Sequence, residues 1–172
     1  HLSIRRQRQM CIETDLDHFK QVNDRYGHAA GDLVLVHFAG ILAQHVPDGA
    51  IAARLGGEEF GIMIRNAAAP QAHALGEAVR RTLALTPVSN EGETIAATVT
   101  AGFAIASDGK ETGVTLFSRA DRALYEAKRA GRNRVLGAQP ELVRTIGGYP
   151  KPLDGPSSTA SVFWPRVRIA WV

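Results

Sequence analysis

Two apolar runs, "AIAARL" (Ala50–Leu55) and "EFGIMI" (Glu59–Ile64), stand on either side of Gly56 and Gly57. Short runs of this kind around a tight glycine turn read as two antiparallel neighbours in one sheet. Such a hairpin is the strongest constraint in the chain. Whatever precedes and follows it must cross a face of the same sheet. It also places two adjacent carboxylates, Glu58 and Glu59, beside the two most permissive residues of the turn. Acids and glycines are ordinary at a solvated hairpin tip. They are equally suited to a site where backbone comes close to a ligand and negative charge is needed beside it.

The flanking segments supply the rest of the sheet. "MCIET" (Met10–Thr14) is a short apolar run and reads as a buried strand. The acids of "DLD" lead into a short helix that Gly27 stops. Leu35, Phe38, Leu42 and Val46 recur at helical spacing, which predicts a mostly buried helix over Gly31–Val46 with Asp32 at its N-cap. "PDG" (Pro47–Gly49) is a turn. A helix is predicted over Ala69–Thr86, with Leu75, Ala78, Val79 and Leu83 inward, and a single central strand over Thr94–Ala106. A last helix, Gly113–Gly131, turns Leu116, Phe117, Ala120, Leu124 and Ala127 inward and is closed by Gly131. "NRVL" (Asn133–Leu136) can add a final short strand.

The order β-α-α-β-β-α-β-α-β contains a βαββαβ unit, the ferredoxin-like arrangement of an α+β fold. A central, mostly antiparallel sheet flanked by helices is expected. Residues 1–9 are a basic segment and 10–137 the folded domain. Residues 138–172 are a tail rich in Gly, Pro and Ser, whose ending, "RVRIAWV", alternates like a strand without a predicted place.

In a split βαββαβ sheet the first and third strands are adjacent and antiparallel. The end of the first strand, at Asp15, therefore lies beside the start of the third, at Glu58 and Glu59. Clustered carboxylates repel unless a cation joins them, and hard oxygen ligands beside phosphates suit Mg²⁺. Composition narrows the rest. The net charge of +3 favours anionic ligands but is far from the footprint of a DNA-binding protein. Cys11 is the only cysteine, so disulfide frameworks and cysteine zinc sites are excluded. No apolar run approaches the ~20 residues that span a bilayer. A cytoplasmic protein with no nucleic-acid partner and no membrane insertion is expected.

"DLDHFKQVNDRYGHAAGD" (Asp15–Asp32), "RLGGEEF" (Arg54–Phe60) and "ADRALYEAKRAGRNRV" (Ala120–Val135) occur in the order and at about the spacing of the GGDEF family of diguanylate cyclases. The resemblance spans Met10 to Leu136. It implies a palm-type domain that condenses two GTP molecules into cyclic di-GMP and releases pyrophosphate. It implies Mg²⁺ or Mn²⁺ held by Asp15, Glu58 and the backbone carbonyl of Leu16. Glu58 is further placed to help deprotonate the attacking hydroxyl, and Glu59 is the supporting acid. Asp17 is expected to hold its loop.

Asn23 and Asp32 match the guanine-reading positions. An ionised aspartate accepts both donors of guanine's edge, whereas adenine presents an acceptor there. The bland alternatives are a loop asparagine and a helix cap. His18, Phe19, Lys20, Lys128 and Arg132 match the phosphate-contacting positions, although basic residues at a helix C-terminus are favoured by its dipole in any case. Gly56 and Gly57 form the close-approach turn.

Two departures stand out. The family's Arg-x-x-Asp product-inhibition site reads "PDGA" here, with Pro47 for Arg and Ala50 for Asp. The start "HLSIRRQRQ" does not match the family's "D-x-L-T-x-L-x-N-R" segment, so the helix that precedes the first strand is expected to be missing. Because each domain holds one GTP, a homodimer is implied in the catalytic state. The alternative is a weak or inactive domain that binds GTP or cyclic di-GMP at the guanine pocket.

Overall fold

A computed structural model describes residues 9–106 and 111–138, together with the backbone of 161–164 and 167–171. The elements run β1 (Gln9–Leu16), α1 (Phe19–Tyr26), α2 (His28–His45), β2 (Ile51–Gly56), β3 (Glu59–Arg65), α3 (Ala69–Leu85), β4 (Val88–Asn90), β5 (Glu93–Ile95), β6 (Val99–Ile105), α4 (Gly113–Arg129) and β7 (Val135–Gly137). Then follow β8 (Ser161–Trp164) and β9 (Val167–Trp171).

The main sheet has the order β7-β6-β1-β3-β2-β9-β8. β1 is antiparallel to both β3 and β6, and β7 joins β6 in parallel. The α+β, βαββαβ architecture expected from the sequence is present. The terminal "RVRIAWV" supplies β9, which pairs in parallel with β2. The tail from 139 to 160 and the basic start from 1 to 8 lie outside the described residues, as does the question of the preceding helix.

Helices cover both faces. Even-numbered β1 residues Met10, Ile12 and Leu16 join Phe60, Ile62, Phe38 and Leu42 in the larger core, beneath α1, α2 and α3. Phe38 of α2 meets Phe60 of β3 edge to face, 5.0 Å between ring centres, a contact worth about 1 kcal/mol beyond its burial. On the other face Cys11 and Ala104 pack against Leu116 and Ala120 of α4. Strand alternation decides the split: successive residues of β1 serve opposite cores.

Four local expectations need correction. Gly27, at φ 84°, both ends α1 and precedes α2, so the second helix begins at His28 and Asp32 lies inside it rather than at its cap. The predicted strand 94–106 is two strands. Glu91 and Gly92, at φ 49° and 85°, close a two-residue hairpin between β4 and β5, the geometry of a type I′ turn. Phe117 is exposed at 37%, and Arg119, at 8%, takes an inward place on α4 instead. It can do so because its guanidinium donates to the Ile105 carbonyl and pairs with Glu111 at 2.8 Å. The helix 69–85 buries Ala72, Gly76, Val79 and Leu83, while Leu75 and Ala78 are half-buried.

α4 ends as its sequence suggests. Gly131 N–H donates to the Lys128 carbonyl and Arg132 N–H to the Ala127 carbonyl. These are the paired bonds of a Schellman stop.

Candidate active site

The register places Asp15 directly opposite Glu59. One residue on, Leu16 N–H donates to the Glu58 carbonyl at 3.2 Å, so the strand end and the glycine hairpin are stitched together. The hairpin keeps its shape through Gly57, at φ 50°, and through Arg54, whose Nε donates to the Gly57 carbonyl at 2.7 Å. An L side chain at 57 would be strained there. Lys128, on the last turn of α4, reaches Asp15 with Nζ 2.8 Å from Oδ2.

The electrostatics are those of crowded acids. Burial raises the Asp15 carboxyl above its usual range, Lys128 opposes this, and Glu58 and Asp17 push the same way as burial. Burial likewise raises Glu59, with Asp15 the next cause. Glu13, two residues earlier on the same side of β1, is 5% exposed and pushed up to about 8 by burial, aided by Asp121 and Glu59. Its Oε1 has no hydrogen-bond partner. Three carboxylates, Glu13, Asp15 and Glu59, thus share the influence of one cation, Lys128. That surplus of hard oxygen and negative charge fits a divalent ion. Among the described residues no three His, Cys, Asp or Glu side chains form a ready cage. The expected set needs only Asp15, Glu58 and the Leu16 carbonyl, with phosphate oxygens completing it.

β1 runs on through Asp17 into α1. His18, at φ 56°, precedes the helix, and neither its side chain nor any acid in the first turn caps it. The first N–H groups of a helix lack intrahelical partners, so the start of α1, at Phe19 and Lys20, is suited to an anion. Phe19 is buried beneath it, and Lys20 is exposed. Asn23 of α1 lies against α2 at Gly31, where a Cβ would overlap its Oδ1. Asp32 is the next residue and is exposed. The expected guanine-reading pair, Asn23 and Asp32, therefore lies where α1 packs against the first turns of α2. Pro47 sits with Met10 and Ile64 around a cavity of about 390 Å³, at the opposite end of β1 from Asp15. Ala50 is buried.

Asp17 is more deeply engaged than its sequence context suggests. It is 6% exposed. It accepts from the hydroxyls of Thr98 and Thr100 and from the N–H of Asn133. Sequence reasoning missed Thr98, Thr100 and Asn133. The alternation of "TVT" was a signal that two hydroxyls share one face, but nothing local tied them to Asp17.

A sheet with strand order β6-β1-β3-β2, helices on both faces and carboxylates at the β1–β3 edge defines a palm-type α+β domain. The family profile "Diguanylate cyclase, GGDEF domain" matches residues 2–134. This chain belongs to the GGDEF family. It is 41% identical over 121 residues to diguanylate cyclase A of Treponema denticola, covering 70% of this chain and 33% of that one. It is 43% identical over 121 residues to DgcP of Pseudomonas aeruginosa, covering 70% and 18%. The chain thus spans a third or less of the length of these curated relatives.

Two solved structures are similar along most of their length. One is the GGDEF domain of DgcB from Caulobacter crescentus in complex with c-di-GMP, with a TM-score of 0.74 at 36% identity, covering 77% of this chain and 78% of that one. The other is the active GGEEF domain of a diguanylate cyclase from Vibrio cholerae, with a TM-score of 0.73 at 35% identity, covering 79% and 86%. Among the described residues no helix is long and apolar enough to cross a membrane.

Proposed function

We propose that this domain condenses two GTP molecules into cyclic di-GMP, working as a cytoplasmic homodimer in which each copy presents one nucleotide. The observation that carries this reading is the β1–β3 edge, where Asp15 faces Glu59 and Leu16 is bonded to Glu58. Asp15, Glu58 and the Leu16 carbonyl would hold Mg²⁺ or Mn²⁺. When bound, the ion supplies charge stabilisation for phosphoryl oxygens and lowers the pKa of the attacking 3′-hydroxyl.

The chain's own residues divide the remaining work. The start of α1, at His18, Phe19 and Lys20, offers backbone N–H groups and an ammonium to the phosphates. Lys128 and Arg132 neutralise the developing charge on pyrophosphate. Asn23 and Asp32 read guanine, and the wrong base would leave the aspartate without donors. Glu58 accepts the proton of the attacking hydroxyl, with Glu59 beside it. Gly56 and Gly57 leave room for the nucleotide. Without Arg at 47 and Asp at 50, the Pro47–Ala50 turn lacks a product-inhibition site.

One feature favours a second reading, a GTP or cyclic di-GMP binding module. The Lys128–Asp15 ion pair already supplies the half-buried carboxylate with a cation, which would compete with a metal. Incubation with GTP and Mg²⁺ over a range of protein concentrations separates the two. Cyclic di-GMP formation that rises more than linearly with protein supports the cyclase. Saturable binding with no product over long incubation supports the module and overturns the cyclase.

A further inference from the structure

The loop after α4 carries three consecutive left-handed residues: Gly131 at φ 114°, Arg132 at 60° and Asn133 at 45°. Two of them are not glycine, and such residues persist there only when their surroundings hold them. The surroundings do so from both sides. On the β1 side, Asn133 N–H is shared at 3.0 Å between Asp17 Oδ2 and Thr100 Oγ1. The Thr98 hydroxyl donates to Asp17 at 2.7 Å, and Asp17 N–H donates to the Thr98 carbonyl at 2.8 Å. On the α3 side, Arg80 donates to Asn133 Oδ1 at 2.9 Å. Arg80 is itself gripped by both oxygens of Glu77, at 3.1 and 2.9 Å. A buried carboxylate and a forked ion pair thus clamp one residue, next to Arg132.

We propose that Asp17 and Arg80 are positioning residues for the triphosphate: together they hold the strained Gly131–Asn133 turn and thereby set Arg132 in the nucleotide site. Neither touches the reacting atoms. The clamp spans 116 residues of sequence from Asp17 and 53 from Arg80, so it joins the exit of the first strand, the third helix and the last loop. Arg132 is exposed, and an arginine whose backbone is already fixed loses less freedom on meeting an anion than one on a loose loop. The inference rests on the reading of Arg132 as a phosphate contact.

The test is a double-mutant cycle on ligand affinity. Binding of GTP with Mg²⁺ is measured by calorimetry and binding of guanosine by NMR titration, for Asp17→Asn, Arg80→Met, Arg132→Ala and the two doubles containing Arg132→Ala. Arg132→Ala is expected to weaken GTP about tenfold, the loss of one charge-assisted contact. Asp17→Asn and Arg80→Met should each weaken GTP several-fold, leave guanosine unchanged, and add nothing once Arg132 is gone. Full additivity with Arg132→Ala, an equal loss for guanosine, or no loss for GTP would each overturn the clamp. If Asp17→Asn does not fold, Arg80→Met decides by the same outcomes. A parent chain that fails to bind GTP at all sinks the nucleotide reading itself, a different failure from a parent that binds while the clamp variants behave like it.

Discussion

Glu13 shows what crowding costs at the level of one side chain. Its carboxyl is buried, and Oε1 is left without a partner. Because its folded pKa, about 8, lies above the ordinary value of 4.5, its contribution to stability is fullest below about pH 4.5 and falls away as pH rises toward 8. Glu13→Gln removes that loss. The variant should be more stable than the parent by about 1–2 kcal/mol near neutral pH, with the gain shrinking toward pH 5. Urea unfolding at pH 5 and pH 8 checks this, and a gain that does not depend on pH would refute it. Asp32 makes the opposite case, since it is exposed and does not cap α2. Asp32→Ala should leave the unfolding midpoint within about 0.5 kcal/mol yet reduce kcat/KM for GTP at least about tenfold. A shift in stability without one in kinetics would return Asp32 to a structural role. The acids at 15, 58 and 59 were legible in the sequence because strand order alone fixes which ends meet. The partners of Asp17 were not, because hydroxyls and backbone N–H groups more than eighty residues away leave no periodic trace.

Helices and strands were readable where a pattern had a period, and less so where a turn decided. The βαββαβ order followed from apolar runs and glycine stops. The β4–β5 hairpin escaped because β-branched residues run on from Thr94, masking the break before Val99. α4 was predicted with nearly the right bounds but with Phe117 inward, since a hydrophobic stripe cannot reveal that Arg119 will bury beside Glu111. The contact that seats this helix is sharper than any stripe. A Cβ at Gly102 of β6 would lie 2.7 Å from Leu124 Cα and closer still to other α4 backbone atoms. Backbone cannot rotate aside as a side chain can. Gly102→Ala should therefore destabilise the domain by about 3 kcal/mol. It should also lower turnover of the molecules still folded, because Lys128 rides on α4 and reaches Asp15 across that seam. An unfolding midpoint like the parent's would show that the helix can lift away without penalty.

For the whole domain, the length of β1 separates the acids at its end from the Pro47–Ala50 turn by its beginning. The carboxylate edge lies at the C-terminal end of β1, while Pro47 and Ala50 lie by its beginning and carry neither Arg nor Asp. Added cyclic di-GMP is therefore expected to inhibit only by competing with GTP, through the guanine cleft. Initial rates across GTP concentrations should show KM rising with product while kcat holds. A falling kcat would reveal a second product site. The carboxylate edge and its lysine are gathered from residues 15, 58 and 128, and a last support arrives at Asn133, bonded back to the exit of the first strand. On the proposed reading, a chain still leaving the ribosome would carry the acids at 15, 58 and 59 early and yet stay chemically silent. Only when the loop beyond α4 had cleared the exit tunnel would nucleotide be held, so translation itself would delay the messenger until that loop had folded back.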